Sequence, residues 1–271
     1  MGAMSSKEST VAKRSLQALG VASAIGAGVL AYSLAEAKSY RLRGVQVPVL
    51  EPGSEPLQIL HLSDLHMTPR QAGKAEWIQH LADLQPDLVV ATGDFMAHPD
   101  AVYPVTAALG PLLDIPGVFV FGSNDYYAPK IGNPFTYLVG PTNYDRGEPD
   151  LPWPELSSAL SSGGWIDLSN RRDHIKVDGR LIDVRGVDDP HIGRDQYEPI
   201  AGPFDPTADL ALGVSHAPYL RVLDAMADDG AQLIMAGHTH GGQVCIPGYG
   251  ALVTNCDIDT SRVKGLHHHK N

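Results

Sequence analysis

Cysteine is nearly absent from this 271-residue chain, which holds only Cys245 and Cys256. So few exclude a disulfide framework or a cysteine-based zinc module, and they leave the redox compartment open. Basic residues are also scarce: 20 Lys and Arg stand against 31 Asp and Glu, a formal net charge of −11. Nucleic acid is therefore not expected as a partner, because phosphate backbones are held by basic surfaces. An acidic chain can still act on a phosphate ester where bound metal cations supply the positive charge. Internal repeats and low-complexity blocks are missing as well. With 43% hydrophobic and 19% charged residues, the composition is that of a globular protein.

Charge is also missing between Leu16 and Ala35, a run rich in Ala and Gly that follows Lys13 and Arg14. About twenty uncharged residues is the length that spans a bilayer as a helix. "AKRSLQ" loosely resembles a twin-arginine export signal, and Ala35-Glu36-Ala37 could serve as a cleavage site. A membrane anchor, an export signal and a soluble helix packed on the domain are all compatible with this run. Lys38, Arg41 and Arg43 follow it, so positive charge at both ends leaves the orientation open. Residues 1–44 are expected to form this segment and its linker, and 45–271 the main domain.

Beyond the linker, short apolar runs alternate with amphipathic ones. Leu57 to Ser63, Asp87 to Asp94 and Gly117 to Ser123 read as buried strands, with helical spacing at Lys74 to Leu84 and Val102 to Leu113. This βαβαβ series predicts an α/β domain with a mainly parallel sheet and helices on its faces. Ala128 to Pro154, full of Pro, Gly, Asn and Tyr, reads as a long surface insertion. A short helix follows, then a β-hairpin over Arg172 to Val187 with Asp178-Gly179 as its turn. Leu210 to His216 and Ala231 to His238 are further strands, with a helix from Tyr219 to Asp229 between them.

Several strand-like runs end in residues able to bind metals: Asp64 and His66 in "SDLH", Asp94 in "GD", His216 in "SH", His238 and His240 in "GHTH". The carboxyl ends of strands in an open α/β sheet are where ligands bind. Asp and His together suit Zn²⁺, Mn²⁺ or Fe ions. Taken singly, Asp64 and His66 read equally well as a capped turn, Asp94 as a helix N-cap and His216 as an ordinary histidine. At successive strand ends of one chain they point to one site.

The series "SDLH…GD…GSND…SH…GHTHGGQ" resembles the calcineurin-like metallophosphoesterase superfamily over roughly Gln58 to Val253. It is most similar to the bacterial membrane-associated or exported branch, which implies a place in the cell envelope. The resemblance implies a two-sheet β-sandwich flanked by helices (αββα). It also implies a hydrolase that uses two divalent metal ions, Mn²⁺, Zn²⁺ or Fe. One ion would be held by Asp64, His66, Asp94 and His240, the other by Asp94, His216, His238 and an Asn. A hydroxide between the metals would attack phosphorus. The implied substrate is a phosphate ester, with diesters favoured over monoesters and a phospholipid or lipid-linked ester as one option. A non-catalytic metal- or phosphate-binding module of the same fold is the alternative.

Two departures qualify the match. Where the family has G-N-H-[DE], this chain has Gly122-Ser123-Asn124-Asp125. Serine is a poor ligand and a carboxamide oxygen a normal one, so Asn124 is expected on the second metal, with Asp125 orienting the loop. The usual catalytic histidine is missing, and His98, Tyr126, Tyr127 and His191 are possible substitutes for its proton. The chain also stops about thirty residues after "GHTHGGQ", where similar proteins continue into strands that complete the second sheet.

Overall fold

The computed structural model describes residues 3–130, 147–242, 244–246 and 248–270. It divides into two compact units, Met1–Gly44 and Val45–Asn271. The first unit is dominated by helix α1 (Ala3–Glu36). Within it, Leu19–Glu36 is long and apolar enough to cross a membrane by length and composition, a criterion that a signal sequence also meets.

The second unit carries two four-stranded sheets. In the first, β1 (Ile59–Leu62), β2 (Leu88–Ala91), β3 (Gly117–Phe119) and β4 (Ile166–Asp167) run parallel in that order. Their crossovers carry α2 (Ala72–Gln79), α3 (Val102–Leu113) and α5 (Trp153–Ser162). A one-turn helix, α4 (Ser123–Tyr126), follows β3. In the second sheet, β5 (Arg171–Val177) pairs antiparallel with β6 (Arg180–Gly186). Parallel β7 (Leu210–Ser215) and β8 (Leu233–Ala236) complete it, joined by α6 (Leu220–Asp228).

Side-chain alternation along β2 and β3 makes the sandwich. Val89, Ala91 and Phe119 pack on the helix side with Leu109, Leu112 and Leu160. Leu88, Val90 and Val118 face the opposite way, against Ile182, Val184, Leu212 and Val214 of the second sheet. Each such side chain contributes about 1.5–3 kcal/mol on full burial. Val222 and Met226 of α6 cover the far side of the second sheet. The order helix, sheet, sheet, helix is the αββα sandwich expected from the sequence.

The predicted hairpin turn is present. Asp178 and Gly179 both take positive φ, 48° and 77°, as a two-residue type I′ turn requires. Strand β3 is shorter than the run Gly117 to Ser123, because its neighbour β4 pairs only with Val118 and Phe119. The chain then leaves the ladder and turns into α4, while Phe121 stays buried at 5.4 Å from the Phe119 ring. Much of the predicted insertion, residues 131–146, lies outside the described residues.

Candidate active site

All the strands that carry the polar motifs end at one place. Asp64 follows β1, Asp94 follows β2, Asn124 sits in α4 after β3, and His216 and His238 follow β7 and β8. Asp64, His66, Asp94 and His240 offer ligand atoms that all lie within 4.8 Å of one another. Asp94 stands between two histidines: its Oδ2 is 3.6 Å from His66 Nε2 and 3.6 Å from His216 Nε2. Asn124 holds the same carboxylate, its backbone N–H donating to Oδ1 (2.7 Å) and its Nδ2 to Oδ2 (2.8 Å).

Backbone strain gathers here. Asp64, His66, Asp94, His238 and His240 have φ of 55°, 42°, 54°, 68° and 49°. A side chain in that left-handed region costs about 1–2 kcal/mol, and such outliers cluster at functional sites. Glycines make the turns possible. A methyl on Gly122 would strike Asp94 Oδ1 and the His216 ring, and one on Gly237 would strike Ser63 Oγ and Asp64 Oδ2.

Carbonyls fix the ring tautomers. His216 Nδ1 donates to the Thr92 carbonyl at 2.6 Å, which turns Nε2 towards Asp94, 3.6 Å away. His238 Nε2 donates to the Asn255 carbonyl at 3.2 Å and so frees Nδ1. Metal-binding histidines are typically oriented in this way.

The electrostatics call for a cation. Burial opposes the Asp64 carboxylate, but the His240 hydrogen bond and the positive field of His216 hold it far below the usual range. Burial also opposes protonation of His216, yet Asp94, Asp189 and Asp64 overcome it and push the ring up to about 9. His238 is pushed down to about 3, by burial and then by repulsion from His216, so its ring is neutral. His66 and His240 face each other nitrogen to nitrogen at 3.2 Å. His216 Nε2 is buried with no hydrogen bond among the described residues, and the buried Asp64 Oδ1 lies 3.2 Å from His240 Nε2. An orphaned ring nitrogen, facing imidazoles and surplus carboxylate fit divalent metal ions of the Zn, Mn or Fe type.

Comparison with known proteins decides the family. The model of the calcineurin-like phosphoesterases matches residues 57–242. This chain belongs to that family. Its members typically hold two divalent metals, and the chain is accordingly a metal-dependent phosphoesterase. Relatives include the uncharacterized metallophosphoesterase YkoQ of Bacillus subtilis (strain 168), 27% identical over 225 residues, 80% of this chain and 74% of that protein. Phosphodiesterase YaeI of Escherichia coli (strain K12) is 25% identical over 240 residues, 87% of this chain and 79% of that one. A Bos taurus transmembrane protein with a metallophosphoesterase domain is 28% identical over 211 residues, 74% of this chain and 44% of that protein.

Asp125, expected to orient the loop, is fully buried in this phosphoesterase and clips two turns together. It accepts from the N–H groups of Asp94 (2.8 Å), Phe95 (2.8 Å), Met96 (3.2 Å) and Gly122 (2.9 Å). Some parts of the site had no warning in the sequence. The Thr92 and Asn255 carbonyls are invisible to residue-type reasoning. Asp189 is buried, its Oδ2 without a hydrogen-bond partner among the described residues and its carboxyl pushed up to about 7 by burial and by Asp94. Its only signal was a pair of acids, Asp188-Asp189, just beyond a strand. Of the possible substitute donors, His191 lies nearest the histidines, its ring 4.4 Å from that of His238. Tyr126 is committed to Asp188 through a 2.8 Å hydrogen bond, and His98 caps Asp100.

Proposed function

We propose that the domain is a dinuclear phosphodiesterase acting beside a membrane, with Asp94 bridging two metal ions. The position of Asp94 between His66 and His216 carries the dinuclear assignment. Asp64, His66 and His240 complete one set of ligands, and Asn124, His216 and His238 the other. When bound, the two ions supply positive charge to phosphoryl oxygens and make water more acidic. The chain's own part is to hold that geometry. Thr92 and Asn255 fix the imidazoles, and Asn124 braces both oxygens of Asp94. A half-turn of the Asn124 carboxamide would give up the Nδ2 bond to Asp94 Oδ2, keep the backbone N–H bond to Oδ1, and offer oxygen to the second ion. Metal analysis checks this: Asn124→Ala lowers bound metal from two equivalents towards one, and an unchanged content refutes the ligand role.

The missing proton donor favours esters with good leaving groups, activated diesters among them. The Gly122–Asp125 loop holds no histidine to protonate a leaving group, a loss of about 10²–10⁴ in rate. Esters whose leaving group departs without help suffer least. YaeI, named a phosphodiesterase, supports the same reading. With Mn²⁺ and matched aryl leaving groups, kcat/KM for the diester should exceed that for the monoester by about tenfold or more. A monoester preference refutes the assignment. Helix α1 and the transmembrane bovine relative support membrane attachment, and with it a lipid-linked ester as substrate.

A further inference from the structure

Soon after His240 the chain enters a small antiparallel ribbon, β9 (Cys245–Ile246) and β10 (Gly250–Ala251). Its register assigns the faces. Ala251 pairs with Cys245, is buried, and lies where a methyl on Gly242 would strike it. Gly250 pairs with Ile246 on the opposite face, and Leu252, whose N–H donates to the Val244 carbonyl at 2.8 Å, lies on that face too. The outer face is therefore Val244, Ile246, Gly250 and Leu252, with Tyr249 at the tip.

This face is exposed: Tyr249 by 78%, Ile246 by 49% and Leu252 by 38%. Among the described residues from Val45 on, six large apolar side chains are exposed: Val45, Tyr103, Ile246, Tyr249, Leu252 and Leu266. Three of those six, Ile246, Tyr249 and Leu252, belong to the ribbon, so exposed apolar surface gathers there. Concentrated apolar surface marks an interaction site, whereas single exposed residues do not.

We propose that the outer face of this ribbon inserts into the head-group layer of a lipid bilayer, next to the metal-binding histidines. The occupant is a bilayer because the same chain carries an 18-residue apolar stretch, Leu19–Glu36, suited to enter one. The inference rests on that membrane-attached reading. A tyrosine at the tip suits the water–lipid boundary, where one end of the ring is apolar and the other wet. The net charge of −11 works against attraction to anionic lipid as the main driving force, so the contact is expected to be mainly apolar and to change little with salt. The ribbon starts shortly after His240, and the segment that follows it supplies the Asn255 carbonyl to His238. A lipid-linked ester at the boundary thereby meets the site without leaving the membrane.

The test uses the full chain in phosphatidylcholine vesicles, with and without brominated acyl chains. Trp77, Trp153 and Trp165 are buried or half-buried, so the parent sets the background. Tyr249→Trp should be quenched by brominated lipid about twofold more than the parent, and equally so in about 0.5 M salt. Ile246→Ser with Leu252→Ser should lower the ratio of kcat/KM for a bilayer-embedded diester to that for a soluble aryl diester about tenfold. A chain that does not bind vesicles overturns the attachment reading and this inference with it. A chain that binds vesicles while Tyr249→Trp adds no quenching over the parent overturns this inference alone. So does concentration-dependent dimerisation that buries the ribbon against a second copy.

Discussion

Asp94→Asn should lower kcat/KM by about 10³-fold or more, equivalent to roughly 4 kcal/mol of transition-state stabilisation. The change is nearly isosteric, so the fold survives and the loss is chemical. A carboxylate can bind a cation through each oxygen while bringing a full negative charge, whereas a carboxamide offers one neutral oxygen. Both oxygens of Asp94 already accept hydrogen bonds, from Asn124 N at 2.7 Å and Asn124 Nδ2 at 2.8 Å. An NH₂ group at either position would face another donor. His66 and His216 would also lose the anion that stands 3.6 Å from each ring. Elemental analysis should therefore find one metal equivalent or fewer where the parent holds two. A variant with two equivalents and activity within about tenfold of the parent would sink the bridging assignment.

The candidate ligand residues were legible because their chemistry is written in side chains at strand ends. Asp64, His66, Asp94, His216, His238 and His240 each end an apolar run, and parallel strands deliver such ends to one edge. The sandwich was legible for a related reason. The alternation Leu88, Val89, Val90, Ala91 buries both faces of β2, as only an inner sheet covered on both sides does. What escaped the sequence depends on the backbone. The Thr92 and Asn255 carbonyls fix two tautomers, yet any residue could provide them. The left-handed φ of five candidate ligand residues is a property of the closed turns rather than of a motif. The ribbon β9–β10 escaped because strands of two residues have no measurable period. Asp189 escaped because only the fold carries the loop after β6 under His216.

Asp125→Ala should be the most destabilising single change at the site. The Asp125 carboxylate is fully buried and satisfies four backbone N–H groups, those of Asp94, Phe95, Met96 and Gly122. Alanine leaves all four without an acceptor. A buried donor without its partner costs about 1–3 kcal/mol, so the sum is about 4 kcal/mol or more. For a domain of this size, about 1 kcal/mol lowers Tm by roughly 2–4 °C, which puts the expected fall near 8–16 °C. Burial and the negative Asp94 push the Asp125 carboxyl up to about 8, while the N–H donors of Gly122 and Met96 pull the other way. Asp125→Asn separates charge from hydrogen bonding. It keeps one acceptor oxygen, for two of the four N–H groups, and turns an NH₂ towards the other two. It also removes the repulsion from Asp94, so its Tm should fall by less than that of the alanine variant. Thermal unfolding of the metal-free chain reads both values without any contribution from bound ions. Equal falls for the two variants would refute the assignment of the loss to the four N–H bonds.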